Sequence, residues 1–410
     1  MRSFLPALVF ATAASQLVCG VASAQEPPPS EAPPAVASLD VGDLWRLARH
    51  KEQSDADDPH RFLVFAPSIG SKPSTGLNGG FAGNVAFFSG DEAGHISSIS
   101  GGVKVSQKKQ TLSGVKLAVF FDDDQWFLLG DNRLSWTSQN TYALGSRAVA
   151  PGSANVKYDL LRLYETAYRT IEPGLFVGLG VNVSQHSSIR PGDPTTPAFD
   201  QSAYLAYSRA NGFAGDLQRS GGTSVALLYD TRDNAINASR GHLASATYRT
   251  FFDGFLGGDS SWQELYLDLR AYKALTRDAR QRVAFWFLGD LVTGGIAPFL
   301  DLPSTGGDTY GRSARGYAEG RYRGERLLYG EIEYRSTLTR NGLLGAVAFA
   351  NTTTVSSRQD NLSLFDAADP AAGFGLRVLL NKRSRTNLCT DYAWGKAGAR
   401  AFYLSIQEAF

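Results

Sequence analysis

The chain has 410 residues and a formal net charge of +1, with 43 glycines, 24 phenylalanines and 17 tyrosines. A charge balance this close to neutral excludes the broad basic surface by which many proteins bind nucleic acids. The glycine-rich and aromatic-rich composition suits many twisted strands joined by turns, either in a large soluble β-protein or in a membrane barrel.

The first 24 residues predict a signal peptide. Arg2 supplies the positive start, the apolar stretch FLPALVFATAASQLVCGV follows, and an Ala-Ser-Ala cleavage site precedes Gln25. Removal of this segment leaves Cys389 as the only cysteine of the mature chain. We therefore expect neither a disulfide framework nor a Cys/His zinc site.

Residues 25–60 predict a proline-rich linker that contains one short helix. Residues 25–38 are rich in proline, alanine and glutamate, which is typical of an unstructured linker. Residues 40–52, DVGDLWRLARHKE, predict an amphipathic helix with Asp40 as its N-cap and Leu44 and Leu47 on one face.

Residues 61–410 divide into sixteen candidate strands. The predicted strands are 61–69, 76–88, 95–106, 111–121, 126–136, 156–169, 174–186, 222–230, 241–252, 261–273, 281–291, 327–338, 342–354, 372–382, 386–395 and 400–410. Short turns follow the even-numbered strands, whereas longer or more polar loops follow the odd-numbered ones, notably at 137–155, 187–221, 292–326 and 355–371. Short turns on one rim and long loops on the other are typical of outer-membrane barrels. A β-sandwich gives no reason for this parity.

The predicted strand 327–338 shows which of its faces points inward. Glu331, Glu333 and Arg335 fall on one face, and Ile332 and Tyr334 fall on the other. A charge on the lipid face costs about 2–4 kcal/mol at mid-membrane. The charged face is therefore expected to line a polar lumen.

The last predicted strand, RAFYLSIQEAF, alternates with period two. Phe402, Leu404, Ile406 and Phe410 form its apolar face, which also carries Glu408. A strand that ends the chain on an aromatic residue resembles the C-terminal signal that the outer-membrane assembly machinery recognises. Together with the signal peptide, this strand favours the membrane barrel over an ordinary edge strand of a soluble protein.

Three ordered motifs carry a family resemblance. They are GGTSVALLYDTRDNAINASRGHL, ARGYAEGRYRG followed by LLYGEIEYRS, and GFGLRVLLNKRSRTNLCTDYAWG followed by FYLSIQEAF. From about residue 221 to residue 410 the sequence resembles the BamA/TamA-type bacterial surface antigen superfamily. The resemblance implies a 16-stranded antiparallel transmembrane β-barrel in the outer membrane of a Gram-negative bacterium.

The resemblance also implies a role for one arginine of the loop between strands 11 and 12, the sixth extracellular loop by our count. In this family the loop folds into the barrel and its arginine docks on the inner wall. The matching residues of the loop motif are Ala314, Arg315, Gly316 and Tyr317, and those of the wall are Glu333, Phe349 and Asn351. The neighbouring Arg312, Arg321 and Arg323, and Arg326 just beyond the motif, are expected only to solvate the loop.

The sequence departs from the family pattern at two motif positions. Ala314 replaces a valine, and Asn351 replaces the usual aspartate. Because one negative partner is lost, we expect Glu333 to carry most of the pairing with Arg315 and Asn351 to act as a neutral acceptor. A bidentate arginine–carboxylate contact is directional in a way that lysine cannot reproduce.

A second motif lies in the predicted turn after strand 8. Asp230, Arg232, Asp233 and Asn234 are residues that form turns readily. We expect them to stabilise a periplasmic turn rather than to act directly in function.

Enzyme signatures are weak in this sequence. The five histidines, at positions 50, 60, 95, 186 and 242, show no metal-ligand spacing, and no G-x-S-x-G motif is present. We expect no catalytic residue, no metal and no cofactor, although one sequence leaves a lumenal Ser–His pair open.

Only about 36 positions separate Gln25 from Arg61, too few for one periplasmic POTRA module of the kind that such family members carry. The resemblance therefore implies a barrel-only member. The resemblance implies a function in protein or lipid insertion or translocation, with a passive channel or structural barrel as the alternative. The expected partners are outer-membrane lipids, the assembly machinery, and a separate periplasmic protein or client polypeptide; a homo-oligomer is possible. The helix at 40–52 could lie in the periplasm, plug the lumen, hold a partner or be incidental.

Overall fold

A computed structural model describes residues 38–43, 61–72, 75–88, 96–122, 124–147, 153–192, 199–309, 311–382 and 384–410. The predicted signal peptide lies outside the described residues, as do residues 25–37 of the predicted linker. Of the predicted helix at 40–52, only residues 40–43 are described, and 41–43 are helical.

The described chain folds into sixteen antiparallel strands, as the sequence predicts. Their bounds are β1 Arg61–Lys72, β2 Gly76–Phe88, β3 Ile96–Ser106, β4 Thr111–Phe121, β5 Trp126–Thr141, β6 Ala154–Glu172, β7 Leu175–Pro191, β8 Gln218–Asp230, β9 Gly241–Phe251, β10 Trp262–Ala274, β11 Gln281–Gly295, β12 Arg326–Thr337, β13 Leu344–Val355, β14 Asp369–Asn381, β15 Thr386–Gly395 and β16 Arg400–Ile406. Each strand pairs with the next, and β16 returns to β1 to close the barrel.

Side chains alternate between the two surfaces of the barrel wall. On β12, Ile332 and Tyr334 are 47% and 40% exposed on the outer surface, whereas Glu331, Glu333 and Arg335 are buried on the inner one. The same alternation in β8 exposes Val225, Leu227 and Tyr229. An apolar outer band and an ionised lumen match the solvent on each side of a membrane barrel wall. Among the described residues, no helix is long and apolar enough to cross a membrane.

Long connections pack together at one rim, which we call the long-loop rim. Helix α1 (Ala203–Ala210) lies in the β7–β8 connection and begins at the N-cap Ser202, whose hydroxyl accepts from the Leu205 amide. Its Tyr204 and Tyr207 pack edge-on against Phe299 of the β11–β12 connection, with ring centroids 5.6 and 5.7 Å apart. An apolar cluster therefore fills this rim between the two connections.

The described N-terminal residues contact the opposite rim, called here the short-turn rim. The Asp40 side chain accepts from the Asp43 amide, and the Asp43 side chain accepts from the Asp40 amide, which is a reciprocal helix cap. Asp40 also accepts from the Lys382 amide at 3.0 Å, and the Leu39 amide donates to the Asn341 carbonyl. Residues 38–43 are thus tied to the β12–β13 and β14–β15 turns.

The closure between β1 and β16 is short. Its register consists of the pair Ser71↔Phe402, whereas the β1–β2 register runs unbroken from Arg61↔Phe87 to Lys72↔Gly76. We call the β1–β16 closure the seam. Its register is much shorter than that of the neighbouring β1–β2 pair.

The expectation that one apolar face extends to Phe410 is wrong. β16 ends at Ile406, and Gln407 adopts a left-handed φ of 74°. Phe402 is 41% exposed, but Glu408 and Phe410 are only 4% and 6% exposed. A continued strand would place the Glu408 carboxylate on the lipid face, where a charge is destabilising. The chain instead turns inward, and residues 407–410, here called the C-terminal segment, lie in the lumen.

Candidate functional site: a loop anchored on the inner wall

The site begins with a compact turn in the β11–β12 connection. The Asp308 carboxylate accepts from the backbone amides of Arg312 and Ser313, and the Tyr317 amide donates to the Ala314 carbonyl at 3.1 Å. Ala314 has a left-handed φ of 57°, a conformation that costs free energy for a residue with a Cβ. The turn directs the Arg315 side chain onto the strands that follow.

Arg315 is 2% exposed and meets three carboxylates. Its guanidinium donates to Glu331, Glu333 and Asp391, the last at 2.7 Å. Glu331 engages two guanidinium nitrogens, since Nε also donates to it at 3.3 Å. The prediction that Glu333 carries most of the pairing is therefore wrong, because the charge is shared along β12 and β15.

Phe349 and Asn351, the two matched positions on β13, complete this contact. The Arg315 guanidinium carbon lies 3.5 Å from the Phe349 ring centroid, a cation–π contact. Asn351 donates its amide to the Arg315 carbonyl at 3.0 Å and to Glu331 at 3.3 Å. It is therefore a donor rather than the expected acceptor, because the surrounding carboxylates already supply the acceptors.

Gly316 and Tyr317 hold the loop against β14 and β15. Gly316 has a φ of 114°, and a Cβ there would lie 2.7 Å from the Cβ of Ala371. The Tyr317 hydroxyl donates to the Pro370 carbonyl at 2.6 Å and accepts from the Lys396 amide at 2.9 Å. A side chain at position 316 would push the loop away from the wall.

The other arginines of the motif are not merely solvating. Arg323 is 4% exposed and donates to the carbonyls of Phe299, Leu300 and Leu302. Arg321 lies over the Tyr322 ring at 4.5 Å. The expectation that these arginines only solvate the loop is wrong for Arg323 and Arg321, because a loop folded against itself gives them contacts, whereas Arg326 is exposed.

The C-terminal segment binds next to the Arg315 site. Arg377 donates to Glu408 at 2.7 Å and to Asp391 at 2.6 Å. Asn387 adds a bond to Glu408 at 2.7 Å. Because Asp391 also pairs with Arg315, one chain of alternating charges joins the loop to the C-terminal segment.

A second branch of this chain reaches Phe410. Arg335 donates to Glu333 at 2.6 Å and to the Phe410 carbonyl at 2.8 Å. The Phe410 ring stacks on Trp286 with centroids 5.2 Å apart. From the loop itself, Arg312 donates to the carbonyls of Ile406, at 2.9 Å, and Glu408. The loop and the end of β16 therefore hold each other in place.

The turn motif after β8 is self-supporting and also contacts another turn. Arg232 pairs with Asp230 at 2.6 Å. Asp233 accepts from the amides of residues 239 and 240, and Asn234 accepts from those of residues 236 and 237. Asp233 further pairs with Arg385 of the β14–β15 turn at 2.8 Å. Partial burial alone would raise the pKa of Asp233, but the hydrogen bonds from Arg385 and the two amides lower it.

The lumen brings one histidine close to serine and aspartate side chains. His186 Nδ1 lies 3.7 Å from Asp301 Oδ1, but the Ser184 and Ser220 hydroxyls donate to Asp301 rather than to the histidine. A serine nucleophile needs a base that accepts its proton, and this arrangement does not provide one. Within the described ranges, no cluster of His, Cys, Asp and Glu side chains could hold a metal ion.

Three residues of the site escaped sequence reasoning. Asp391, Arg377 and Glu408 lie on different elements of the closing hairpin. Asp391 and Arg377 could have been found by extending the inward-facing alternation of β12 to β14 and β15, where both fall on the inner face. Glu408 could not, because only the turn at Gln407 brings it inside.

Comparison with known proteins agrees with this architecture. The Omp85 superfamily domain matches residues 97–410. Among solved structures, BamA from Haemophilus ducreyi lacking POTRA domains 1-3 is 14% identical, with a TM-score of 0.53 over 87% of this chain and 70% of that chain. CdiB from Acinetobacter baumannii is 11% identical, with a TM-score of 0.53 over 85% of this chain and 60% of that chain.

A further solved structure, CdiB from Escherichia coli, is 12% identical, with a TM-score of 0.51 over 87% of this chain and 63% of that chain. The chain thus spans less than two thirds of either CdiB structure. At these identities the likeness concerns the fold alone. No curated protein matches the chain.

Proposed function

Because the chain belongs to the Omp85 superfamily and is an outer-membrane barrel of a Gram-negative bacterium, we propose that it inserts or translocates polypeptide or lipid by opening its seam. The observation that carries this proposal is the single registered pair, Ser71↔Phe402, between β1 and β16. A strand edge with unpaired backbone groups can accept another strand. Opening this closure breaks fewer hydrogen bonds than opening the barrel between other strands.

The inward turn of the C-terminal segment supports the same proposal. If β16 continued beyond Ile406 in the register of Ser71↔Phe402, residues 407–410 would lie opposite the first half of β1. The Glu408 side chain instead accepts from Arg377, the Phe410 carbonyl accepts from Arg335, and the Phe410 ring stacks on Trp286. The first half of β1 is thereby left without a β16 partner and available to a client strand.

The alternative, a passive channel, has less support from the geometry. The long-loop rim is filled by the cluster that joins α1 to Phe299, Leu300 and Leu302. An open conduit needs a continuous water-filled lumen, and this packing does not provide one between those two connections.

The proposed partners follow from the surfaces that the barrel presents. Outer-membrane lipids contact the apolar outer band, and a client polypeptide contacts the β1 edge. A separate periplasmic protein or the assembly machinery would deliver the client to the short-turn rim. The tie between residues 38–43 and the turns at Asn341 and Lys382 lies at this rim, where such a partner would bind.

A cross-linking experiment in liposomes tests the proposal. In a Cys389→Ser background, Ser71→Cys with Phe402→Cys links the seam, and Val225→Cys with Tyr248→Cys links the registered β8–β9 pair as a matched control. Insertion of an unfolded client barrel is measured before and after reduction. We expect oxidation to stop insertion only in the seam variant and reduction to restore it.

Two results would contradict this proposal. Equal insertion by the oxidised seam variant would show that the closure need not open. Ion conductance without client insertion by the unmodified protein would support the channel instead.

A further inference from the structure

A chamber lies inside the barrel beside the Arg315 site, and Arg312, Glu408 and Phe410 are among the residues that line it. Its volume is about 560 Å³, within the range of about 300–1,000 Å³ typical of small-molecule sites. Leu300 and Leu302 of the long-loop rim lie at one end, and Ile236 of the β8–β9 turn and Phe410 lie at the other. The chamber is thus bounded by the β11–β12 connection and the C-terminal segment, which both fold into the lumen.

One side of the chamber is apolar, which is unusual for the lumen of a membrane barrel. Phe120, Phe127, Tyr168 and Leu228 line it from β4, β5, β6 and β8. The rings of Phe120 and Phe127 stack with centroids 4.2 Å apart. Barrel lumens are ordinarily polar, so this aromatic wall gives the chamber the two-sided character of a site for an amphiphile.

The charged side of the chamber contains one unmatched guanidinium. Arg249 pairs with Glu264 and Arg270 with Asp268, both at 2.6 Å. Arg162 has no ion-pair partner in the part of the chain that the structure describes, and its buried Nε has no hydrogen-bond partner there. Its guanidinium carbon lies 4.9 Å from the Tyr164 ring centroid. A cation that lines a lumenal cavity in this way favours an anionic ligand.

The same chamber also carries side-chain oxygens without hydrogen-bond partners, although the Asp290 carboxyl group shares one hydrogen bond with Glu264. Asp290 and Glu264 line it together, but Arg249 donates to Glu264 and the buried Oδ1 of Asp290 lacks a partner within the described residues. Asn182 is 1% exposed, lines the chamber, and has a buried Oδ1 that also lacks a partner there. These oxygens are acceptors that suit a ligand with N–H groups.

From these three features we propose that the chamber binds a single-chain zwitterionic lipid with a phosphate and a primary ammonium group. The phosphate binds Arg162, the ammonium binds Asp290 and Asn182, and the acyl chain lies against Phe127 and Leu228. The chamber volume suits one chain rather than two. The residues that line the chamber include none of β1 or β16, so binding of its ligand can be tested independently of the proposed insertion function.

Native mass spectrometry of the full barrel in a nonionic detergent tests the proposal. The probes are lysophosphatidylethanolamine, lysophosphatidylglycerol and an alkyl ammonium surfactant of matched chain length. We expect one lysophosphatidylethanolamine per barrel and at least about tenfold weaker binding of the other two probes, because each lacks one of the two headgroup groups that the chamber binds. Equal binding of all three would overturn the proposal.

Variants then locate the site. Arg162→Gln is expected to weaken lysophosphatidylethanolamine binding at least about tenfold. Asp290→Asn is expected to remove the preference for this probe over lysophosphatidylglycerol. Arg326→Gln is the matched control, since Arg326 is exposed and does not line the chamber. Unchanged binding by folded Arg162→Gln would overturn the assignment. If that variant does not fold, the comparison of the three probes on the unmodified protein decides whether the chamber binds this lipid.

Discussion

The β12–β13 wall and the β1–β16 seam are both antiparallel strand pairs, but the wall is paired along its length and the seam is not. The wall register runs from Leu327↔Val355 to Thr337↔Gly345, and the inner face of the wall binds Arg315. The seam has one registered pair, and its last strand stops at Ile406. Backbone pairing and lumenal ion pairs reinforce each other in the wall.

At the seam the two kinds of interaction compete. Glu408 gains Arg377 and Asn387 as partners only if residues 407–410 leave the sheet. A buried carboxylate without a partner is strongly destabilising, so the ion pair prevails over strand pairing. The lumenal arginines therefore determine how far the barrel closes.

Removing the Arg315 guanidinium should destabilise the barrel more than any other change considered. It should make the β12–β13 wall less stable and so more like the seam. Arg315→Ala leaves three buried carboxylates without their shared cation, a loss of about 3–5 kcal/mol. We expect protease cleavage of the β11–β12 connection and loss of heat-modifiable gel mobility. Arg315→Lys should retain protease protection and heat-modifiable mobility only in part, because lysine lacks the planar guanidinium group that can donate to several carboxylates. If the β11–β12 connection of Arg315→Ala were as well protected from protease as that of an Arg326→Lys control, Arg315 would not be the anchor of this loop.

Releasing the C-terminal segment should have the next largest effect on stability. It tests whether the Glu408 ion pair keeps this segment out of the seam. Glu408→Ala removes the partner of Arg377 and Asn387, and we expect residues 407–410 to leave the lumen. Cys389 pairs in register with Ser405 and is 2% exposed, so it reports on this change. Maleimide should label Cys389 at least about tenfold faster, corresponding to about 1.4 kcal/mol. Labelling as slow as in Glu172→Ala, a variant at an exposed position, would mean that the segment stays bound.

Glu333→Gln should have a smaller effect than Arg315→Ala. Arg315 keeps Glu331 and Asp391, so about 1–3 kcal/mol is expected from the lost charge-assisted bonds. Limited proteolysis of the β11–β12 connection should show partial protection. Full loss of protection would restore Glu333 as the dominant partner.

The smallest effect is expected at the β8–β9 turn. The lowered pKa of Asp233 means that its pair with Arg385 stabilises the folded state above the ordinary carboxyl pKa and is lost as pH falls through the folded value. Both side chains are partly exposed, at 32% and 43%, so less than about 1 kcal/mol is expected. Thermal unfolding of Asp233→Asn should differ from the unmodified protein at neutral pH and converge with it in acid. A constant difference would assign the effect to the turn hydrogen bonds.

The fold could be predicted from the sequence because each strand carries its own signal. Period-two alternation and the parity of connection lengths are local, and every strand bound lies within five residues of its prediction. The partners of Arg315 were harder to predict. Glu331 and Glu333 are visible on one strand, but Asp391 comes from β15, and its place beside the guanidinium depends on how far the loop reaches across the lumen.

The end of the chain could not be predicted for a different reason. The alternation of Phe402, Leu404 and Ile406 continues through Phe410 in the sequence, yet the strand stops where Glu408 would face lipid. Local pattern favours continuation, and only the distant Arg377 reverses it. Long-range pairing of charges is not visible in a single strand.

Hydrogen–deuterium exchange of the barrel in a lipid bilayer tests the central claim most directly. We expect backbone amides of β1 and β16 to exchange at least about tenfold faster than those of β12 and β13, since fewer hydrogen bonds must open at the seam. Arg315→Ala should narrow the difference by speeding exchange in β12. Equal protection of the seam and the wall in the unmodified protein would contradict the account.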